Sequence, residues 1–228
     1  MKAWETLGEA TTADGQLLQL QQRGEEQVVR VGGTVLMTNR SHGSEEAMAE
    51  VAFANARVPP KHLLVGGLGL GFTLQAVLDR ASKTTEISVS ELLQPLVTWN
   101  REALGTRAAQ ALEDPRVKVL VGDVRRCIEK NPDTFDAILL DVDNGPAALT
   151  QAGNAALYQT AGLRALHRSL RDGGVLVVWS AGPDDDFVRR LGANGFTEAC
   201  ARRVAARRGG SGSHILFIAR KAGTRRPS

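Results

Sequence analysis

His62-Leu-Leu-Val-Gly-Gly-Leu-Gly-Leu-Gly-Phe-Thr73 decides the fold: a short apolar run breaks into Gly66, Gly67, Gly69 and Gly71 and then becomes helix-like. The order reads strand, glycine turn, helix. A nucleoside can lie against bare backbone only where no Cβ intervenes, and amides at a helix start are free to donate hydrogen bonds. Gly67-Leu-Gly69-Leu-Gly71 has a tight GxGxG spacing, without the last glycine of a dinucleotide fingerprint. Taken alone, the motif also admits a plain packing turn.

Outward from that stretch, apolar strands alternate with amphipathic helices. Leu63–Val65, Glu86–Val89, Val117–Val121, Ala137–Leu140 and Val175–Trp179 read as strands. Leu92–Leu104, Asp123–Lys130, Asn154–Leu170 and Asp184–Gly192 read as crossover helices, with Asp172-Gly173-Gly174 stopping the longest. This alternation predicts parallel strands with helical crossovers. Phe196–Val204 and His214–Arg220 flank a glycine-rich turn and predict an antiparallel pair at the sheet edge. Upstream, Gln16–Leu20, Gln27–Val31 and Thr34–Met37, punctuated by Asp14-Gly15 and Gly32-Gly33, predict β-hairpins. Ser44–Ala56 reads as a helix opened by a serine cap with acids in its first turn, and Pro59-Pro60 closes it. The expected organisation is a hairpin region over 1–43, a Rossmann-like catalytic domain over 44–221 and a frayed tail over 222–228.

At 228 residues the chain has room for one well-buried core and is too short for two full ones. Hydrophobic residues at 43% and charged residues at 23% exclude wholesale disorder. No apolar run approaches membrane-spanning length, and Met1-Lys-Ala-Trp-Glu-Thr has no apolar signal core, so a cytoplasmic protein without a membrane partner is expected. Cys127 and Cys200 lack metal-ligand spacing, so buried thiols and no metal are expected. The net charge of +3 hides a crowd of arginines from Arg202 to Arg226. With so few aromatic residues to stack bases, that crowd reads as a solvated edge, and nucleic acid is not an expected partner.

In an open parallel sheet, ligands bind beyond the carboxyl ends of the strands, which selects the chemical candidates. Glu91 stands at the tip of the second strand, where a carboxylate can accept from both hydroxyls of a ribose; its bland alternative is a helix-start acid. Asp123 ends the third strand, placed either to accept from an adenine amino group or to cap the next helix. The fourth strand delivers Asp141 and Asp143 in Leu-Leu-Asp141-Val-Asp143-Asn-Gly-Pro146. Neighbouring carboxylates raise each other's pKa, which suits one to remove a proton or both to hold a cation. A turn role for Asp143 is the alternative.

Glycine loop, Glu91, Asp123 and Asp141 follow the order and spacing of an adenosyl-methionine pocket, and the chain here resembles the spermidine synthase-like family within the class I methyltransferase fold. The most specific part is Asp141-Val-Asp-Asn-Gly-Pro-Ala-Ala-Leu149 with Leu157-Tyr158 and Leu170-Arg-Asp-Gly-Gly174. The resemblance implies that Gly66, Gly67, Gly69 and Gly71 cradle the cofactor, Glu91 holds its ribose, Asp123 meets adenine and Asp141 acts at the reacting amine. Asp143 or Glu50 is then expected to hold a distant ammonium. It also implies that the hairpins supply a homodimer surface, although a lid over the pocket would use the same residues.

The departures are specific. Leu70 stands where polyamine-making members carry an aspartate, Met48 and Ala49 replace two members of a Tyr-His/Gln-Glu trio that keeps only Glu50, and Leu93 replaces an aspartate. Two activities are therefore expected in competition: aminopropyl transfer from decarboxylated S-adenosylmethionine to an amine with Asp141 as base, and methyl transfer from S-adenosylmethionine to another acceptor. A nucleoside-binding module without turnover is a third reading. His42, His62, His167 and His214 show no motif spacing and read as structural.

Overall fold

A computed structural model describes residues 2–142, 156–207 and 212–223. The chain opens with an antiparallel meander of β1 (Glu5–Thr11), β2 (Leu17–Arg23), β3 (Glu26–Val31) and β4 (Thr34–Thr38), followed by α1 (Gly43–Asn55). Then come β5 (His62–Gly66), α2 (Phe72–Leu78), β6 (Glu86–Glu91), α3 (Gln94–Glu102), α4 (Thr106–Glu113), β7 (Val117–Val121), α5 (Val124–Lys130) and β8 (Phe135–Leu140). A 3-10 turn at Ala156–Tyr158 leads to α6 (Thr160–Ser169), β9 (Leu170–Ser180), α7 (Asp185–Ala193), β10 (Phe196–Ala205) and β11 (Ser213–Lys221). The last seven strands form one sheet in the order β10-β11-β9-β8-β5-β6-β7. β5 to β9 run parallel, while β11 pairs antiparallel with β9 and β10 with β11. This is the Rossmann-like arrangement expected, with its antiparallel edge and its N-terminal hairpin sheet.

Alternation along the central strands sorts the core into two layers. Leu63, Val65, Ala137, Leu139, Val175 and Val177 face one side and pack with Met48, Val51, Leu74 and Val77 of α1 and α2. Leu64, Ile138, Leu140, Leu176 and Val178 face the other and meet Ile128, Leu163, Leu166, Phe187 and Leu191 of α5, α6 and α7. Strands buried on both faces need unbroken apolar runs, which is why β5, β8 and β9 were readable. A third cluster joins the small sheet to the large one: Leu18, Leu20 and Val29 pack against Leu96 and Trp99, with Met37, Leu70 and Leu93 at its margin. β1 bends over Trp99 at a register shift between Thr6 and Gly8, and a Cβ on Gly8 would sit 2.3 Å from the indole Nε1.

Four local expectations are corrected. β1 has no apolar run, and its Glu-Thr-Leu-Gly-Glu-Ala-Thr sequence gave no strand signal. α4 is a further helix, short and alanine-rich, held by Ala111 and Leu112. Ser44 is not the cap of α1: His42 is, without a side-chain cap bond, and Ser44 lies fully buried in the first turn. Finally, β9 begins at Leu170, and Asp172-Gly173-Gly174 form an irregularity inside it, where Phe135 pairs Leu170 but Ala137 pairs Val175. Among the described residues no helix is long and apolar enough to cross a membrane.

Candidate functional site

The carboxyl ends of β5, β6 and β8 lie side by side and are stitched by backbone bonds from Gly67 N to Ser90 O and from Asp141 N to Gly66 O, each 2.8 Å. The loop between β5 and α2 is forced to be glycine where it crosses β8. Gly67 has φ +90°, and a Cβ there would stand 2.2 Å from the Asp141 carbonyl oxygen. Gly71, at φ +81°, caps α2 in a left-handed turn. Gly66 ends β5, and Gly69 lies under Met37 of β4, whose Sδ would be 3.3 Å from an added Cβ.

Glu91, last residue of β6, is only 5% exposed and turns its carboxylate onto this loop. Oε2 accepts from Leu68 N at 2.8 Å and Gly69 N at 3.4 Å, and Oε1 accepts from Leu93 N at 2.8 Å. Burial raises its pKa, while these amide bonds act in the opposite direction. Each carboxylate oxygen has two acceptor positions, so Oε1 keeps capacity for a further donor. Asp123 caps α5, accepting from Arg125 N at 2.8 Å, and its Oδ2 receives Arg125 Nε and Nη2 at 2.9 and 2.6 Å. Burial works against its charge, but the Arg125 bonds outweigh it and the pKa is lowered. The capping alternative is therefore realised at Asp123.

Asp141 follows β8 directly, and its Oδ2 accepts a 2.7 Å hydrogen bond from Thr73 Oγ1 of α2. Burial pushes its pKa up to about 6, the Thr73 bond opposing and the Glu91 charge assisting. Its charge is felt on α1 by Glu45, whose pKa is raised to about 7 first by burial and then by Asp141. Ser44 Oγ donates to Glu45 Oε2 at 2.5 Å, and His214 Nδ1 of β11 lies 2.9 Å from the same hydroxyl. The His214 ring packs edge-on against Trp179 of β9, with ring centres 4.6 Å apart, and burial lowers its pKa.

Among the described residues, no lysine or arginine forms an ion pair with Glu45, Glu91 or Asp141. The strand ends thus hold a basin of carboxylates beside a bare-backbone loop, suited to a cation attached to a nucleoside. The structure brings together Gly66, Gly67, Gly69, Gly71, Glu91 and Asp141. It does not bring Glu50, which is exposed on α1; Met48 and Ala49 beside it are fully buried in the core, and the α1 acid that feels the Asp141 charge is Glu45. Asp143 lies outside the described residues. Glu45, Thr73, Ser44 and His214 were missed: Glu45 was accounted for as a helix-start acid, and only the packing of α1 shows where it lands. Leu70 belongs to the apolar cluster with Met37, Leu93 and Trp99.

The family model described as Spermine/spermidine synthase domain matches residues 41–184. Polyamine aminopropyltransferase 2 of Pseudomonas aeruginosa is 37% identical over 123 residues, which are 52% of this chain and 33% of that protein. Polyamine aminopropyltransferase of Korarchaeum cryptofilum is 28% identical over 137 residues, 60% of this chain and 40% of the other. The chain therefore matches well under half the length of these curated relatives. Among solved structures, a spermidine synthase in complex with the transition-state analogue AdoDATO superposes with a TM-score of 0.76 at 18% identity, over 95% of this chain and 72% of that one. The spermidine synthase of Thermotoga maritima gives 0.77 at 19%, over 95% and 73%. At such identities the two structures speak for the fold.

Proposed function

The chain belongs to the spermine/spermidine synthase domain family, and on that premise we propose that it transfers an aminopropyl group from decarboxylated S-adenosylmethionine to an amine. The observation that carries this reading is the basin of Glu45, Glu91 and Asp141 beside the glycine loop, without an ion-paired cation among the described residues. Donor sulfonium and acceptor ammonium are both positive, and unneutralised carboxylates attract both. In this reading Gly66, Gly67, Gly69 and Gly71 lay backbone against the adenosyl group and Glu91 accepts from its ribose, while Asp123, besides capping α5 and holding Arg125, offers a remaining lone pair to its adenine. Asp143 is the remaining candidate to hold a second ammonium of the acceptor.

The donor supplies a propyl carbon made electrophilic by its sulfonium sulfur. The acceptor nitrogen forms a bond to that carbon as the carbon–sulfur bond breaks, methylthioadenosine leaves with the electron pair, and the nitrogen's proton passes to Asp141. A carboxyl held at about 6 is a stronger base than an ordinary aspartate near 3.8, and at pH 7 it is still mostly ionised. Displacement of this kind needs alignment more than covalent help.

Purified protein incubated with decarboxylated or intact S-adenosylmethionine and a panel of amines, read by mass spectrometry, tests the reading. An aminopropylated amine with the decarboxylated donor, lost by about 100-fold in Asp141→Asn with donor affinity retained, is the expected result. No aminopropylated product from any amine overturns it. One observation favours methyl transfer instead: Leu70 is packed into apolar side chains and offers no carboxylate to a donor ammonium. A methylated product from the intact donor in the same experiment would establish that second reading.

The same proposal takes residues 44–221 as the cofactor-binding unit and 1–43 as its cover. It also includes a homodimer through the small sheet, supported by Val35 and Leu36 of β4, which are 45% and 43% exposed. Light scattering at working concentration tests that pairing. Cys127 is half-buried and Cys200 exposed, not the buried thiols expected, and two free thiols accord with a reducing, cytoplasmic setting.

A further inference from the structure

Glu45 leads away from the pocket through a line of hydrogen bonds to a different strand. Ser44 Oγ, fully buried, donates to Glu45 Oε2 at 2.5 Å and stands 2.9 Å from His214 Nδ1. A hydroxyl whose own proton lies on a carboxylate has only lone pairs for the imidazole, so in this arrangement His214 Nδ1 carries a proton and donates it to Ser44. The reverse arrangement has the proton on Glu45, the hydroxyl donating to Nδ1 and the imidazole neutral. Passing between the two moves one net proton from carboxyl to imidazole by two short transfers, with no heavy atom displaced.

We propose that Ser44 and His214 are positioning residues that drain the proton released by the acceptor: Asp141 takes it from the nitrogen, Glu45 takes it from Asp141, and Ser44 hands it to half-buried His214 on β11. The idea rests on the transferase reading, because it supplies that proton an exit. Atoms balance: the amine loses one proton, each group returns to its starting state, and the proton ends in solvent. Burial raises both acids, and the Asp141 charge raises Glu45 further, so each can hold the proton in turn before the hydrogen-bonded line from Glu45 through Ser44 to His214 carries it away.

The groups facing this line are few. His214 meets Ser44 from α1 and Trp179 from β9, and it pairs with Val204 across β10. Glu45 is flanked by Ser44 and the Glu46 charge on its own helix and by Asp141. Asp141 is faced by Thr73 from α2 and Glu91 from β6. None of these neighbours is a cation, so the imidazole is the one group on the line that gains a positive charge when the proton arrives.

Full-length His214→Gln and Ser44→Ala test the relay, the first because an amide keeps a hydrogen bond to Ser44 but cannot carry the proton through. In a working transferase, kcat at pH 7 is expected to fall at least about tenfold in both, with KM and donor affinity within about twofold. The deficit should shrink toward pH 9, where amines arrive less protonated, and Ser44→Thr should recover the rate. A wild-type rate in folded His214→Gln across that range overturns the proposal. A second measurement is independent of turnover: the His214 imidazole is titrated by nuclear magnetic resonance, its signal identified by its loss in His214→Gln. Glu45→Gln should lower the His214 pKa by about half a unit, and Ser44→Ala should abolish that response. If no amine is ever aminopropylated but the titrations are coupled, the transferase reading fails and the proton line stands. If the titrations are uncoupled, the line fails whatever the activity.

Discussion

Glu45→Gln should make the protein more stable relative to wild type as pH rises. Glu45 is held at about 7, against an ordinary value near 4.5, so the folded state binds its proton more tightly than the unfolded state does. Between those two values the unfolded chain sheds the proton first, and wild-type stability falls as pH climbs through the window; above it the full cost of a buried charge is present. At about 1.4 kcal/mol per factor of ten in proton affinity the cost is about 3 kcal/mol, and water at the partly open site screens it to roughly 1–2 kcal/mol. Glutamine stays neutral and can still accept from Ser44. For a domain of this size the variant's Tm should therefore gain about 3–7 °C on wild type between pH 5 and pH 8.5. Calorimetry of both proteins at the two pH values measures the difference directly. A gap that stays constant, or one that widens in favour of wild type at high pH, would refute the claim that Glu45 is desolvated against Asp141.

Gly67→Ala should cost more than about 2 kcal/mol, because the left-handed backbone is strained by any side chain and the new Cβ meets the Asp141 carbonyl oxygen; a Tm within 1–2 °C of wild type, on the scale of about 2–4 °C per kcal/mol, would contradict it. Glu91→Gln replaces one acceptor oxygen by an amino group facing loop amides, so methylthioadenosine affinity should fall about tenfold by titration calorimetry, and unchanged affinity would remove Glu91 from the ribose site. Leu70→Asp pushes a carboxylate among Met37, Leu93 and Trp99 and should destabilise the fold by roughly 1–3 kcal/mol. A gain in affinity for the decarboxylated donor without that loss would place residue 70 in the pocket rather than the cluster.

The large sheet was legible because β5, β8 and β9 are unbroken apolar runs between amphipathic helices, and because Gly67 and Gly71 have backbone needs that only glycine meets easily. β1 was not, since it pairs through its backbone while offering Glu, Thr and Gly. The site divides similarly. Acids at strand tips declare themselves by topology, and Glu91 and Asp141 were found that way. Glu45 and Glu50 sit on one helix about 140° apart, and a near-featureless alanine-rich stretch gives no sign of which face turns inward. Buried Met48, Ala49 and Ala52 settle it. His214 was illegible for another reason: its partner is 170 residues away, and no local spacing encodes a hydrogen bond to Ser44.

The apolar seam between the small sheet and α3 has a consequence for what counts as a unit of inheritance here. Family likeness spans residues 41–184, yet that segment excised alone would bare Leu93, Leu96 and Trp99, lift Met37 from the Gly69 turn, and leave β9 without β11 along its flank. Raw strand edges and uncovered leucines invite association between copies. Recognisable ancestry and cooperative folding therefore occupy different lengths of this chain: the family segment carries Glu91 and Asp141, and the strands on either side of it cover the apolar faces that segment would leave bare.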